Sequence, residues 1–308
     1  AGIALLGDLL GVCALGVSGA QSGSVRSLFD GREQLRSPVW SPDGSRLAFF
    51  RLQGEAFRLM VHEPASGRTR EVALRTSKAV AANSPLVWAP DGSAVLVALR
   101  PAGWATEARS AFLELSEGPV VVQDSRDDFL DWDRVRNLDR LQVPALVTLA
   151  NGAVRELPGP RTLEEPRFAP DGSYLTYLSA EPKRTSYKRA DGTEYSVVRL
   201  PLDGGEPDTL AGPQERRITA QWNEAVTGFA WAERGDVFVR FLDTDSARNF
   251  TQAHRGPVSD TDTTKISYSL ERKAVAFVGK TKVAEILKAH GLNHEFVRGN
   301  RPKYVEPG

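Results

Sequence analysis

Few residues of this chain are placed as reactive groups usually are. His290 and His294 stand four apart, a spacing that can set two metal ligands on one helix face. Gly291 lies between them and no acidic partner accompanies them, so a solvated helix end accounts for both. The aspartates between Asp124 and Asp139 could gather a cation, but Arg126, Arg134, Arg136 and Arg140 are interspersed with them. Internal salt bridging is the simpler use of such a mixture. Arg234-Gly235-Asp236 spells an integrin-type tripeptide and reads better as a hairpin turn. Asn249-Phe250-Thr251 is a glycosylation sequon only in a host that glycosylates, and it reads as strand. Trp40, Trp88, Phe168, Trp222 and Tyr268 could form a stacking platform for a sugar or base. Their fixed place in a repeat assigns them instead to packing between repeats. These residues indicate no catalytic group, metal site or cofactor, and none is assigned to a substrate.

The totals exclude several classes. In 308 residues, 41% are hydrophobic and 25% charged, an ordinary globular balance. Lys plus Arg equals Asp plus Glu at 39 each, so no global field is available to hold nucleic acid or an anionic membrane. One cysteine, Cys13, permits neither a disulfide framework nor a cysteine-based zinc site within the chain. The run Ile3 to Val17 is mostly apolar, is interrupted by Asp8, and is followed by Val17-Ser18-Gly19-Ala20 before Gln21. Residues 1–20 therefore read as a signal-peptide remnant and imply a periplasmic or secreted protein. The alternative is a buried strand or helix of the domain. The run is too short and too flawed for a membrane span.

The elements that would position any site are announced by a repeat. Ser37-Pro38-Val39-Trp40-Ser41-Pro42-Asp43-Gly44-Ser45, Pro85-Leu86-Val87-Trp88-Ala89-Pro90-Asp91-Gly92-Ser93 and Pro166-Arg167-Phe168-Ala169-Pro170-Asp171-Gly172-Ser173 share one pattern. Each gives an aromatic, a small residue, Pro-Asp-Gly-Ser and then a strand. Proline presets φ, aspartate bonds its own backbone and glycine accepts positive φ, so the motif joins two strands as a hairpin. Weaker copies follow at Trp222 to Trp231 and at Tyr268 to Phe277, both without Pro-Asp-Gly. The five aromatic positions are 48, 80, 54 and 46 residues apart. A four-stranded propeller blade needs about 40 to 50.

Outer strand pairs complete the blades: 57–62 with 71–74, 145–149 with 154–157 across Asn151-Gly152, 196–200 with 208–210, and 236–242 with 249–251. The fold class is thus an all-β propeller of four-stranded blades over residues 25–278, five of them recognisable and the last incomplete. The 80-residue interval holds an insertion around Asp124 to Asn137, with a short helix, and such insertions often build a binding surface. Residues 279–308 read as a helical or irregular tail. From Lys265 to Gly308 there are nine Lys or Arg against four Asp or Glu.

These motifs, with Asp-Arg-Val-Arg-Asn at 133–137, Lys-Arg-Ala-Asp-Gly-Thr-Glu-Tyr at 188–195 and Asp245 to Thr251, resemble the N-terminal propeller of the prolyl oligopeptidase family, in particular its dipeptidyl peptidase IV-like bacterial members. The resemblance implies an α/β-hydrolase domain as partner, peptide substrates reached through it, and a propeller that restricts entry to small peptides. The hydrolase carries its serine in Gly-x-Ser-x-Gly. Here the nearest string, Gly16-Val17-Ser18-Gly19-Ala20, lacks the last glycine. Glu164-Glu165 does not match the family's paired-glutamate motif, since it directly precedes a blade motif. An alternative resemblance is to the periplasmic propeller of the Tol system, an interaction scaffold with similar Pro-Asp-Gly turns. A propeller enzyme with a metal in its central channel is a third.

Overall fold

A computed structural model of the chain describes residues 2–7, 13–18, 25–29, 33–117, 126–159, 162–185, 192–233, 236–243, 265–269, 274–278 and 288. They form two compact units, residues 1–166 with 181–185, and residues 167–180 with 186–308. The first sheet is antiparallel and joins β1 (Gly2–Gly7), β2 (Cys13–Ser18) and β3 (Val25–Ser27). The segment read for export thus forms the hairpin β1-β2, with Gly2 opposite Ser18.

The Pro-Asp-Gly repeats begin true four-stranded sheets. The first blade orders β4 (Leu35–Trp40), β5 (Leu47–Gln53), β6 (Ala56–Glu63) and β7 (Arg68–Glu71). The second contains β8 (Val87–Trp88) and β9 (Ala94–Leu99), then two helices, α1 (Trp104–Ser116) and α2 (Asp131–Arg140), then β10 (Val143–Thr148) and β11 (Val154–Glu156). The long interval is therefore an excursion between the second and third strands of one blade. The third blade runs β12 (Leu163–Phe168), β13 (Tyr174–Pro182), β14 (Thr193–Pro201), β15 (Asp208–Gln214).

The fourth blade differs from the sequence expectation. It comprises β16 (Gln221–Trp222), β17 (Gly228–Glu233), β18 (Asp236–Phe241), β19 (Lys265–Ser269) and β20 (Ala274–Val278), in the order β16-β17-β18-β20-β19. The strands around Tyr268, read as the start of a fifth blade, extend the fourth. The apolar β20 covers the edge of β18, with Val237 opposite Phe277, and satisfies backbone groups that an edge strand leaves open. Positions 249–251, expected to supply that outer strand, lie outside the described residues. So do 279–308 apart from Lys288.

Alternation along the central strands shows why blades come in series. On β5, Ala48 and Phe50 belong to one apolar cluster and Leu47 and Phe49 to another, because successive side chains leave opposite faces of a strand. The cluster around Ala48 and Phe50 takes Leu59 and Val61 from β6, Trp88 from β8, Val95, Val97 and Leu99 from β9, and Ala145 and Val147 from β10. It is the seam between the first two blades. In the second unit, Trp222, Phe229, Trp231 and Phe238 stack in sequence with centroids 4.5, 5.1 and 5.3 Å apart. Trp88 and Trp222 thus pack as the repeat suggested. Trp40 packs against the Leu47 cluster, Phe168 is half-buried, and the side chain of Tyr268 lies outside the described set.

All four hairpin turns share one geometry. The first turn residue donates its N–H to the carbonyl five residues on, at 41/46, 89/94, 169/174 and 223/228, and the fourth donates its N–H back to the carbonyl of the first. That fourth residue is left-handed in each: Gly44, Gly92, Gly172 and, where the motif has decayed, Val226 at φ 56°. A β-branched residue there is strained. In the decayed copy Ala225 stands in the aspartate's place, and the acceptor comes from Asn223 at the first turn position, its Oδ1 accepting from the N–H groups of Thr227 and Gly228.

A second glycine constraint lies at the outer edge of the second blade. Gly152, at φ 70°, accepts the N–H of Arg75, and a Cβ there would sit 1.8 Å from the carbonyl oxygen of Ala73. Gly152→Ala should cost at least about 3 kcal/mol in chemical denaturation, against about 1 kcal/mol for Gly54→Ala, which bears the same left-handed backbone strain but meets nothing; equal costs would remove the close approach as the cause.

The turn aspartates make a pH prediction. Hydrogen bonds from the hydroxyls of Ser41 and Ser45 hold the Asp43 carboxyl well below the usual carboxylate range. The Ser93 N–H and then its hydroxyl lower Asp91, and the Ser173 hydroxyl and then its N–H lower Asp171. A depressed folded-state pKa contributes stability above the unfolded-state value and loses it as pH falls through the folded one. The thermal midpoint should therefore hold above about pH 5 and decline below about pH 4. Asp43→Asn, Asp91→Asn and Asp171→Asn together keep the turns but should flatten that decline.

Candidate functional site

The sequence-derived candidates do not converge. His290, His294 and Asn249 to Thr251 lie outside the described residues, as do Arg234 and Gly235. Glu233 and Asp236 pair across the β17-β18 hairpin, the arrangement expected of a turn. Glu164 and Glu165 sit in β12, and Glu165 takes φ 50°, as Ser37 takes 52° at the matching place in β4; each lies three residues before the blade aromatic and directly precedes a proline. Among the described residues no three His, Cys, Asp or Glu side chains gather as metal ligands. Two aspartates of the cluster form salt bridges, with Arg136 reaching Asp133 at 2.9 Å and Arg100 reaching Asp139 at 2.9 Å.

What the fold does assemble is the helical insertion of the second blade. Helix α2 was legible as a short charged helix. Helix α1 lies outside the segment that reads as helical, although Trp104, Ala108, Ala111, Phe112 and Leu115 carry helical spacing. Neither helix buries any residue fully. They stand out from the sheet and are pinned at both ends. At the base, Arg100 follows β9 and is only 5% exposed. Its guanidinium donates to the carbonyls of Asp139 and Leu141 and to the Asp139 carboxylate, and it lies 4.1 Å over the Trp104 ring. Trp104 donates its indole N–H to the Leu138 carbonyl at 2.7 Å. These donors meet the open carbonyls at the C-terminal end of α2, where a cation also suits the helix dipole. Burial pushes the Arg100 pKa down and Asp139 works against that shift. Farther along, Phe112 and Trp132, 49% and 43% exposed, meet edge to face at 6.2 Å.

A third wall is tied to the helices by backbone. Thr185 donates its N–H to the Asp128 carbonyl at 2.7 Å, and its hydroxyl accepts the N–H of Leu130 at 2.7 Å. Between α1, residues 129–141 and the 181–182 segment lies a cleft of about 910 Å³. One face of α1 lines it, at Gly103, Thr106, Glu107, Ser110, Ala111 and Glu114, spaced as a single helical stripe. Its volume falls within the range of small-ligand sites.

No family model matches the chain. It is 30% identical over 153 residues to the uncharacterized peptidase YuxL of Bacillus subtilis, a match covering 48% of this chain and 22% of the relative. The chain resembles a peptidase propeller. It spans about a fifth of that relative's length. Among solved structures, the acylaminoacyl peptidase of Pyrococcus horikoshii aligns over 86% of this chain and 38% of its own, at 12% identity and TM-score 0.48. An oligogalacturonate lyase of Vibrio parahaemolyticus aligns over 89% and 65%, at 11% and 0.49. A TolB-like protein of Agrobacterium tumefaciens aligns over 66% and 58%, at 14% and 0.41. Such distant likenesses do not choose between peptidase, lyase and scaffold.

Arg100→Ala should release the insertion without unfolding the blades. Hydrogen exchange in residues 104–116 and 131–140 should rise strongly while β5, β6 and β9 stay protected, with a loss of about 2 kcal/mol. Uniform acceleration across the chain would contradict this anchoring role.

Proposed function

We propose that the chain is the non-catalytic propeller of an exported serine peptidase and that it controls which peptides reach a hydrolase domain encoded with it. The observation that carries this reading is the YuxL likeness, found in a chain whose 308 residues contain no Gly-x-Ser-x-Gly nucleophile string. The repeat architecture suits the role, because blades pack into a rigid frame and leave an insertion free to carry selectivity. Among the described residues no helix is long and apolar enough to cross a membrane. Export rests on the apolar run before Gln21 and the small residues that close it, a run that also forms the hairpin β1-β2, as its alternative reading as a strand of the domain has it.

The test has two arms. The purified chain should leave alanine-proline and glycine-proline p-nitroanilides intact. The complete coding frame should carry Gly-x-Ser-x-Gly beyond Gly308, and the longer protein should cleave such amides until that serine is replaced by alanine. Hydrolysis by the chain itself would overturn the reading. A complete frame without a hydrolase would overturn it in favour of a Tol-like scaffold.

A further inference from the structure

The cleft beside α1 has a composition that selects among occupants. Ala111, Phe129, Leu138, Leu141 and Pro182 supply an apolar floor. Around it stand three carboxylates, Glu107 and Glu114 one above the other on α1 and Glu181 from the end of β13, against one cation, Arg134. The walls are fixed before any ligand arrives. Trp104 and Arg100 clamp the helices at one end, Phe112 and Trp132 meet at the other, and Thr185 holds the third wall to Asp128 and Leu130. Preorganised walls reduce the ordering cost of binding.

We propose that this cleft receives a short basic peptide segment, with the aliphatic stem of a lysine or arginine on the apolar floor and its cation among Glu107, Glu114 and Glu181. Long basic side chains bury their stems while keeping the charged head at a polar rim, so an apolar floor edged with carboxylates fits them. The surplus of two negative charges disfavours an acidic peptide at the same place. The volume suits a few residues and not a folded partner. The inference rests on the peptide-admitting role proposed above and adds a charge preference to it.

Calorimetric titration of the full chain tests it with two capped peptides, acetyl-Ala-Lys-Ala-Lys-Ala-amide and the same sequence with norleucine for lysine. Capping removes the terminal charges, so the comparison reads side chains alone. The lysine peptide should bind roughly tenfold tighter, with the advantage shrinking as salt is raised. Combined Glu107→Gln, Glu114→Gln and Glu181→Gln should abolish the preference while the thermal midpoint is kept, and Ser110→Trp should obstruct both peptides. Equal affinity for the two peptides, or a preference that survives the triple variant, would sink the charge selection and leave the peptide-admitting role standing. Binding of neither peptide would overturn the cleft as a peptide site, whereas the peptidase reading fails separately, on the complete frame.

Discussion

The structure depends on sheets whose central strands are apolar on both faces. Leu47 and Phe49 leave one side of β5, Ala48 and Phe50 the other, and all four are buried. A single four-stranded sheet of this kind would expose one apolar face to water, and apolar area left in water is the largest unfavourable term a domain can carry. Covering each face with the next sheet removes it. That requirement explains the spacing of the motifs, the clustering of Trp88 with strands of two blades, and the aromatic stack from Trp222 to Phe238.

Polar links hold neighbouring turns in register over these seams. Arg46, two residues past the first turn glycine, donates to the carbonyl of Gly92 at 2.8 Å and lies 5.0 Å over the Trp88 ring, while Trp88 donates to the Val39 carbonyl at 3.0 Å. Tyr174 holds the matching position after the third turn and donates to the carbonyl of Val226 at 2.9 Å. Guanidinium and phenol differ chemically, yet each reaches the left-handed residue of the following turn. That residue turns its carbonyl away from its own hairpin, leaving an acceptor that a long donor from the preceding blade can satisfy. The link gives the left-handed conformation at Val226 a physical context, since the same backbone carbonyl is used whether or not glycine is present.

An insertion between two inner strands escapes the rule that binds the blades. Helices α1 and α2 bury no residue fully, and their position depends on a handful of directional contacts centred on Arg100. Loops carried by a rigid frame are where a repeat protein can change selectivity without disturbing its core. The cleft combines both properties, with walls fixed by Trp104, Thr185 and the Phe112–Trp132 pair and a lining set by residues that the blades do not need.

Pro-Asp-Gly determined the three hairpins that carry it by itself, because the turn is local chemistry and its three residues state φ, side-chain acceptor and left-handedness in order. Continuous apolar runs such as residues 47–50 and 95–99 likewise declared central strands covered on both faces, and the Asn151-Gly152 turn marked an outer pair. The attachment of β20 to β18 was decided only in three dimensions, since an apolar strand is suited to any open edge and nothing in Ala274 to Val278 names which. The cleft was equally hidden. Glu107, Glu114 and Glu181 read as solvated charges along the chain, and only the fixed helix pair beside Thr185 brings carboxylates 74 residues apart in sequence, from 107 to 181, to one opening.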